Sequence, residues 1–201
     1  MEQKRQAIFA AAVDLIEQGG LDAAKAREIA KKAGFAVGTL YNICDGCTAI
    51  IIEVNRRTLR LMEREMIASL ERTAGRPGTD RIIDLAMTYL AFSENNTNRW
   101  RAVFEHRTAD GMPMPEDYKA DQARLFGLLE ELLASEISDP AQRKSIARAL
   151  FSAAHGIVYL SIEAKLDLYD REEARRQLEF LLKGLGGAIW PEKPKAKSRK
   201  A

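Results

Sequence analysis

The sequence predicts an all-α protein of roughly nine helices, on three observations. Apolar residues recur at helical spacing almost throughout; Ile8, Ala11, Ala12, Leu15 and Ile16 fall at i, i+3, i+4, i+7 and i+8. No segment alternates apolar and polar residues as a half-buried strand would, and the chain holds only five valines. Glycine, proline and asparagine clusters interrupt the periodic runs at helix-length intervals.

Taken in order, the first helix is expected to stop at Gly19-Gly20. Two short helical pieces come next, before a long run from about 48 to Thr73, which ends at "GRPG". Further helices are expected at 80–94, 98–107, 116–137, 140–168 and 171–185. Their boundaries carry Pro77, "NNTN", "DGMPMP", Ser138-Asp139-Pro140, "YD" and "GLGG". Asp139 reads as a cap with proline at the first helical position, and "GLGG" as a helix stop. There is no internal repeat.

With 201 residues, 46% hydrophobic and 30% charged, the balance is that of a globular chain with one large domain or two smaller ones. Charges interrupt the N-terminal apolar positions, so no signal peptide is read there. The fourteen residues from Ala149 to Ile162 are uncharged, against about twenty apolar residues for a membrane span. A cytoplasmic protein without membrane attachment is expected. Two cysteines do not make a secreted disulfide scaffold.

Net charge is only +2, but Lys25, Arg27, Lys31 and Lys32 crowd one segment, opposed there by Glu28 alone. The tail "EKPKAKSRKA" is basic, proline-broken and without apolar anchors, and reads as disordered. It is either a solubilising segment or a nonspecific nucleic-acid contact.

The stretch "AREIAKKAGFAVGTLYNIC", residues 26 to 44, carries the chemistry. A short helix with Ile29 and Ala30 runs into Gly34, and a second occupies about Val37 to Asn42. Gly34 suits a left-handed turn, Ala30 lets two helices cross closely, and Leu40 faces inward; this spacing is that of a helix-turn-helix. Val37, Gly38, Thr39, Tyr41 and Asn42 are then expected outward. Small residues allow close approach in a major groove, Thr39 and Tyr41 can donate to phosphate, and Asn42 can meet a base edge or a phosphate. Lys25 and Arg27 stand at the start of the preceding helix, where cations favour phosphate. An ordinary αα corner is the alternative; the basic start and the polar second helix weigh against it.

These residues, with "AAVDLIEQGGLDA" and "AIIIEVN", resemble the tetracycline-repressor-type (TetR) family of transcriptional regulators over about the first 58 residues. The resemblance implies a DNA-binding head at 1–58, a ligand-binding and dimerisation body at 59–190 and the basic tail at 191–201. It implies a homodimer that binds a palindromic operator in double-stranded DNA, represses transcription, and lets go when a small molecule binds the body. The family's DNA contacts carry over to Lys25, Arg27, Val37, Gly38, Thr39, Tyr41 and Asn42. "LFSAAHGIVYLSIEA" is similar to a body type with an aromatic, here Phe151, followed by His155-Gly156 in the eighth helix.

Cys44 and Cys47 stand as C-x-x-C, where the family usually has an aromatic and a basic residue. Three readings stay open: inert substitutions, a reversible disulfide sensing oxidation, or a metal site. A helix N-terminus lowers a thiol pKa, which favours the second; the segment offers only two ligands, which disfavours the third.

In the body, Trp100, Phe104, Arg107, Tyr118, Phe126, His155 and Tyr159 are the candidate pocket residues, each of which can equally be core. The last two helices carry Ile146, Leu150, Ile157, Leu160, Leu178, Leu181 and Leu182, which serve the monomer core or the dimer interface. No nucleophile elbow, phosphate-binding glycine loop or paired histidines at ligand spacing is present. Neither catalysis, a metal nor a cofactor is expected.

Overall fold

The computed structural model describes residues 1–108, 113–163 and 170–190. Among them are nine α-helices: α1 Glu2–Ala23, α2 Ala26–Ala33, α3 Val37–Cys44, α4 Cys47–Arg72, α5 Gly78–Asn95, α6 Thr97–Glu105, α7 Glu116–Leu133, α8 Pro140–Glu163 and α9 Arg171–Ile189. No described residue is in a strand. The chain packs as two compact units, one of Met1–Ile67 and Ala91–Gly127, the other of Ala68–Leu90 and Leu128–Ala201.

In the first unit, the periodic apolar face of α1 places Ile8, Ala12 and Ile16 out of contact with solvent. Ile29 and Ala30 of α2, Leu40 of α3, Ile50 and Val54 of α4 and Ala102 of α6 join them. Burial of each large side chain contributes about 1.5–3 kcal/mol, so this cluster dominates the stability of the head. Gly19 and Gly20 depart from helical geometry (Gly20 φ 68°), yet one more turn continues to Ala23, so the pair kinks α1 instead of ending it. A smaller cluster joins Leu59, Val103 and Tyr118.

Polar contacts tie α4 to its neighbours in the same unit. Asn55 Nδ2 donates to the Ala102 carbonyl at 2.9 Å. Arg99 Nε donates to Thr58 Oγ1 at 3.2 Å, and its guanidinium pairs with Glu17 of α1 at 3.3 Å. Asp121 of α7 accepts from Arg56 and Arg60 of α4 and from Arg124, while Asp117 also pairs with Arg56. A buried carboxylate would be costly alone and is tolerable only with such partners.

In the second unit, Ala147, Leu150, Ala154 and Val158 of α8 and Ala174, Leu178 and Leu182 of α9 are buried. Asp139 caps α8 as expected, accepting from the N–H groups of Ala141 (3.1 Å) and Gln142 (3.3 Å). Asp170 caps α9 through the N–H of Glu173 at 2.7 Å. The "GLGG" stop does not hold, because α9 runs through it to Ile189. Gly186 is there for closeness: a Cβ on it would lie 2.7 Å from the Thr79 side chain. Beyond it, Trp190 sits against Gly78 and donates from Nε1 to Ser135 Oγ at 3.3 Å. Helix α7 also ends earlier than expected, at Leu133, where Ala134 and Glu136 make tight turns back to Glu131 and Leu133. The tail and the expected 164–168 end of α8 lie outside the described residues.

Candidate nucleic-acid interface

Lys25 precedes α2 in an extended conformation (ψ 149°), and its carbonyl accepts the Ile29 N–H at 2.9 Å. Helix α2 ends at Gly34, which is left-handed (φ 77°, ψ 27°). The Phe35 N–H returns to the Ala30 carbonyl at 2.9 Å, closing the turn and satisfying a helix-end acceptor. Ala36 leads into α3. Helix α3 then ends on two left-handed residues, Asp45 (φ 49°) and Gly46 (φ 92°). The expected framework of Ala30, Gly34 and Leu40 is therefore present, with Ala30 and Leu40 wholly buried.

The faces of α3 divide cleanly. Leu40 and Cys44 point into the core, while Gly38, Tyr41 and Asn42 are exposed, Tyr41 by 53%. The Tyr41 ring lies against the Gly46 backbone, 3.4 Å from where a Cβ would stand, and this steadies its hydroxyl end. Thr39 and Val37 are half-buried, and Val37 packs partly on the head core, so it presents less surface outward than the sequence suggests. Lys25 and Arg27 are exposed. Of the four cations in this segment, Lys32 turns away to pair with Asp14 of α1 at 3.5 Å.

Two basic residues escaped the sequence reading. Lys4 Nζ stands 5.9 Å from the ring centroid of Phe35, in the turn between α2 and α3. The Arg5 guanidinium stands 5.5 Å from that of Phe9. A signal was available: both are cations in the first turn of a helix, where the macrodipole disfavours them.

The cysteines are reduced and separate. Cys44 is 4% exposed within the head core. Burial pushes its thiol up, with Arg5 pulling down and Asp45 adding to the rise. Cys47 opens α4 and donates from Sγ to the Ala24 carbonyl at 3.3 Å. Burial pushes its thiol up too, against a smaller pull from the Ala26 backbone. The helix N-terminus does not produce a reactive thiolate here, because desolvation outweighs it.

The seven body candidates fall into two sets. Trp100, Phe104, Arg107, Tyr118 and Phe126 belong to the first unit and His155 and Tyr159 to the second. Trp100 and Tyr118 are buried, Phe126 is half-buried, and Arg107 and Phe104 are exposed; the rings of Trp100 and Phe104 meet at 5.1 Å. His155 stacks on Phe151 at 5.3 Å, lies near Tyr159, and hydrogen-bonds Tyr89 Oη through Nδ1 at 2.8 Å. Burial holds the imidazole below its ordinary pKa. Tyr89, 66 positions away along the chain, had no sequence signal. A surface cleft of about 480 Å³ in the first unit is lined by Glu17 and residues 94–99, none of them a candidate.

Two family models match the chain. "Bacterial regulatory proteins, tetR family" covers residues 8–42, and "Tetracyclin repressor-like, C-terminal domain" covers 82–185. No curated protein matches. Among solved structures, the chain is similar to a Rhodococcus sp. RHA1 protein of unknown function, with 18% identity, 93% of each chain covered and a TM-score of 0.70. It is similar to a TetR-like transcriptional regulator of the same organism, with 19% identity, 92% and 96% covered and a TM-score of 0.64. A TetR-family transcriptional regulator from Streptomyces coelicolor matches with 19% identity, 92% and 99% covered and a TM-score of 0.65. At these identities the likeness establishes the shared all-α fold.

Proposed function

The chain belongs to the TetR family of bacterial regulatory proteins and is a DNA-binding transcriptional regulator, and we propose that it is a repressor released from its operator by a small molecule. The carrying observation is the outer face of α3, where Gly38, Tyr41 and Asn42 stand exposed beside the left-handed Gly34 turn. In this reading the head spans 1–58, the body 59–190 and the basic tail 191–201. Lys25, Arg27, Thr39 and Tyr41 hold phosphates, and Val37, Gly38 and Asn42 approach base edges.

The protein acts as a homodimer in the cytoplasm, without catalysing a reaction. Support for pairing comes from α9, whose Phe180 is 84% and Leu185 39% exposed. Helix α8 has the length and apolarity of a membrane span, with a mean hydropathy of 1.3 over its best window. Its exposed positions include Ala149, Ser152 and Gly156, small residues that let a partner helix approach. We therefore assign that apolarity to protein contact. A twofold protein requires half-sites about 34–36 Å apart or a multiple of that. The effector contacts are assigned among Trp100, Phe104, Arg107, Tyr118, Phe126, His155 and Tyr159, aromatic surface with a few polar groups.

The test selects genomic fragments bound by the protein and titrates the best against a scrambled duplex, while light scattering gives the mass. A palindromic preference and twice the 22.5 kDa chain mass are expected. Equal affinity for both duplexes at every salt concentration overturns the operator reading. A body ligand should raise the melting temperature and weaken operator binding together.

A further inference from the structure

The geometry points to Lys4 as a phosphate anchor on DNA that lies outside the α2–α3 motif. The inference rests on the DNA-binding reading and adds a contact from α1. Lys4 is exposed, and its ammonium is held over the ring of Phe35, the residue between the left-handed Gly34 and Ala36 at the start of α3. No carboxylate among the described residues pairs with Lys4, whereas Asp14 neutralises Lys32. An aromatic face orders an ammonium without consuming its charge, and all three N–H donors stay available.

A cation in the first turn of α1 also gains nothing from the helix dipole, so its place is not explained by helix stability. Glu2 and Gln6, which hydrogen-bond each other at 2.6 Å, account for that turn. When a recognition helix lies in a major groove, the preceding helix and the turn run along the sugar-phosphate backbone. A lysine pinned beside that turn stands where a phosphate passes. Lys4 thus fixes the approach of α3 without reading sequence.

The experiment titrates the full-length protein against a mixed-sequence duplex, long enough for both heads, over a range of salt concentrations. Wild type is compared with Lys4→Ala, Lys4→Arg and Lys32→Ala, each checked for unchanged helicity by circular dichroism. Lys4→Ala should weaken binding at every salt and lower the slope of log K against log salt by about 0.9, the value of one phosphate contact. Lys4→Arg should keep the wild-type slope. Lys32→Ala removes the same charge from the chain but should leave the slope nearly unchanged, which separates a local contact from the general field. If Lys4→Ala keeps the wild-type slope, or matches Lys32→Ala, the anchor is wrong and DNA binding stands. If wild type itself binds no duplex at low salt, the DNA-binding reading and the anchor fall together.

Discussion

Asp121 of α7, only 2% exposed, accepts a hydrogen bond from Nε of Arg56 on α4 at 2.7 Å. Burial pushes the carboxyl up, but hydrogen bonds from Arg56, Arg60 and Arg124 overcome that and hold it below its ordinary range. The Arg56 guanidinium also meets Glu53 at 3.5 Å, and Glu53 holds Arg57, which reaches Gln6 of α1 at 3.0 Å. A continuous polar chain therefore runs from α7 through α4 to α1 inside one compact unit.

Asp121→Asn should destabilise the protein by about 3 kcal/mol, the lower end for breaking a buried pair, because Arg60 and Arg124 are half-exposed and can rehydrate. The pH dependence carries a sign. A carboxyl with a depressed folded pKa stabilises fully above its unfolded value of about 3.9 and loses that stabilisation as pH falls through the folded value. Urea unfolding at a series of pH values should show wild type losing stability more steeply than the variant below about pH 4. Parallel curves would remove Asp121 from the account.

Gly186→Ala should cost about 1–3 kcal/mol by overpacking against Thr79, although alanine normally favours a helix. In the Thr79→Gly background the penalty should largely vanish. Thermal unfolding of the four proteins gives the coupling, and strict additivity would mean that α9 does not approach Thr79 this closely.

Oxidation should leave operator binding intact, since both thiols are held in the protonated form by burial. The two positions should nonetheless differ on substitution. Cys47→Ser can keep a hydrogen bond to the Ala24 carbonyl, whereas Cys44→Ser buries a hydroxyl in the head core at about 1–3 kcal/mol. Denaturant titrations separate these, and DNA loss by wild type alone under oxidant would revive a sensing role.

On DNA, Lys25→Ala should weaken binding to every sequence and flatten the salt dependence by about 0.9 in slope. Asn42→Ala should change preference at one step of the half-site by about 1–3 kcal/mol. Gly34→Ala acts differently: no atom lies within 4 Å of the added methyl, so only the left-handed backbone resists it, at about 1–2 kcal/mol. Its effect should appear in the melting temperature of the head before it appears in sequence preference.

The all-α class, the helix order and the α2–α3 motif were legible because they depend on local rules. Helical spacing marks Ile8 to Ile16, Asp139 caps the helix that Pro140 opens, and Gly34 can enter a left-handed turn that other residues avoid. Contacts between distant residues were not legible, because periodicity states which face is apolar but not what covers it. Only the folded chain brings Asp121 to Arg56 and Arg60, Tyr89 to His155 and Lys4 to Phe35. The same limit explains the errors at the glycines: Gly19-Gly20 kinks α1 under continued packing, and the glycines of "GLGG" stay helical because α9 needs Gly186 to pass Thr79. Local preference sets where a helix can end; tertiary packing decides whether it does.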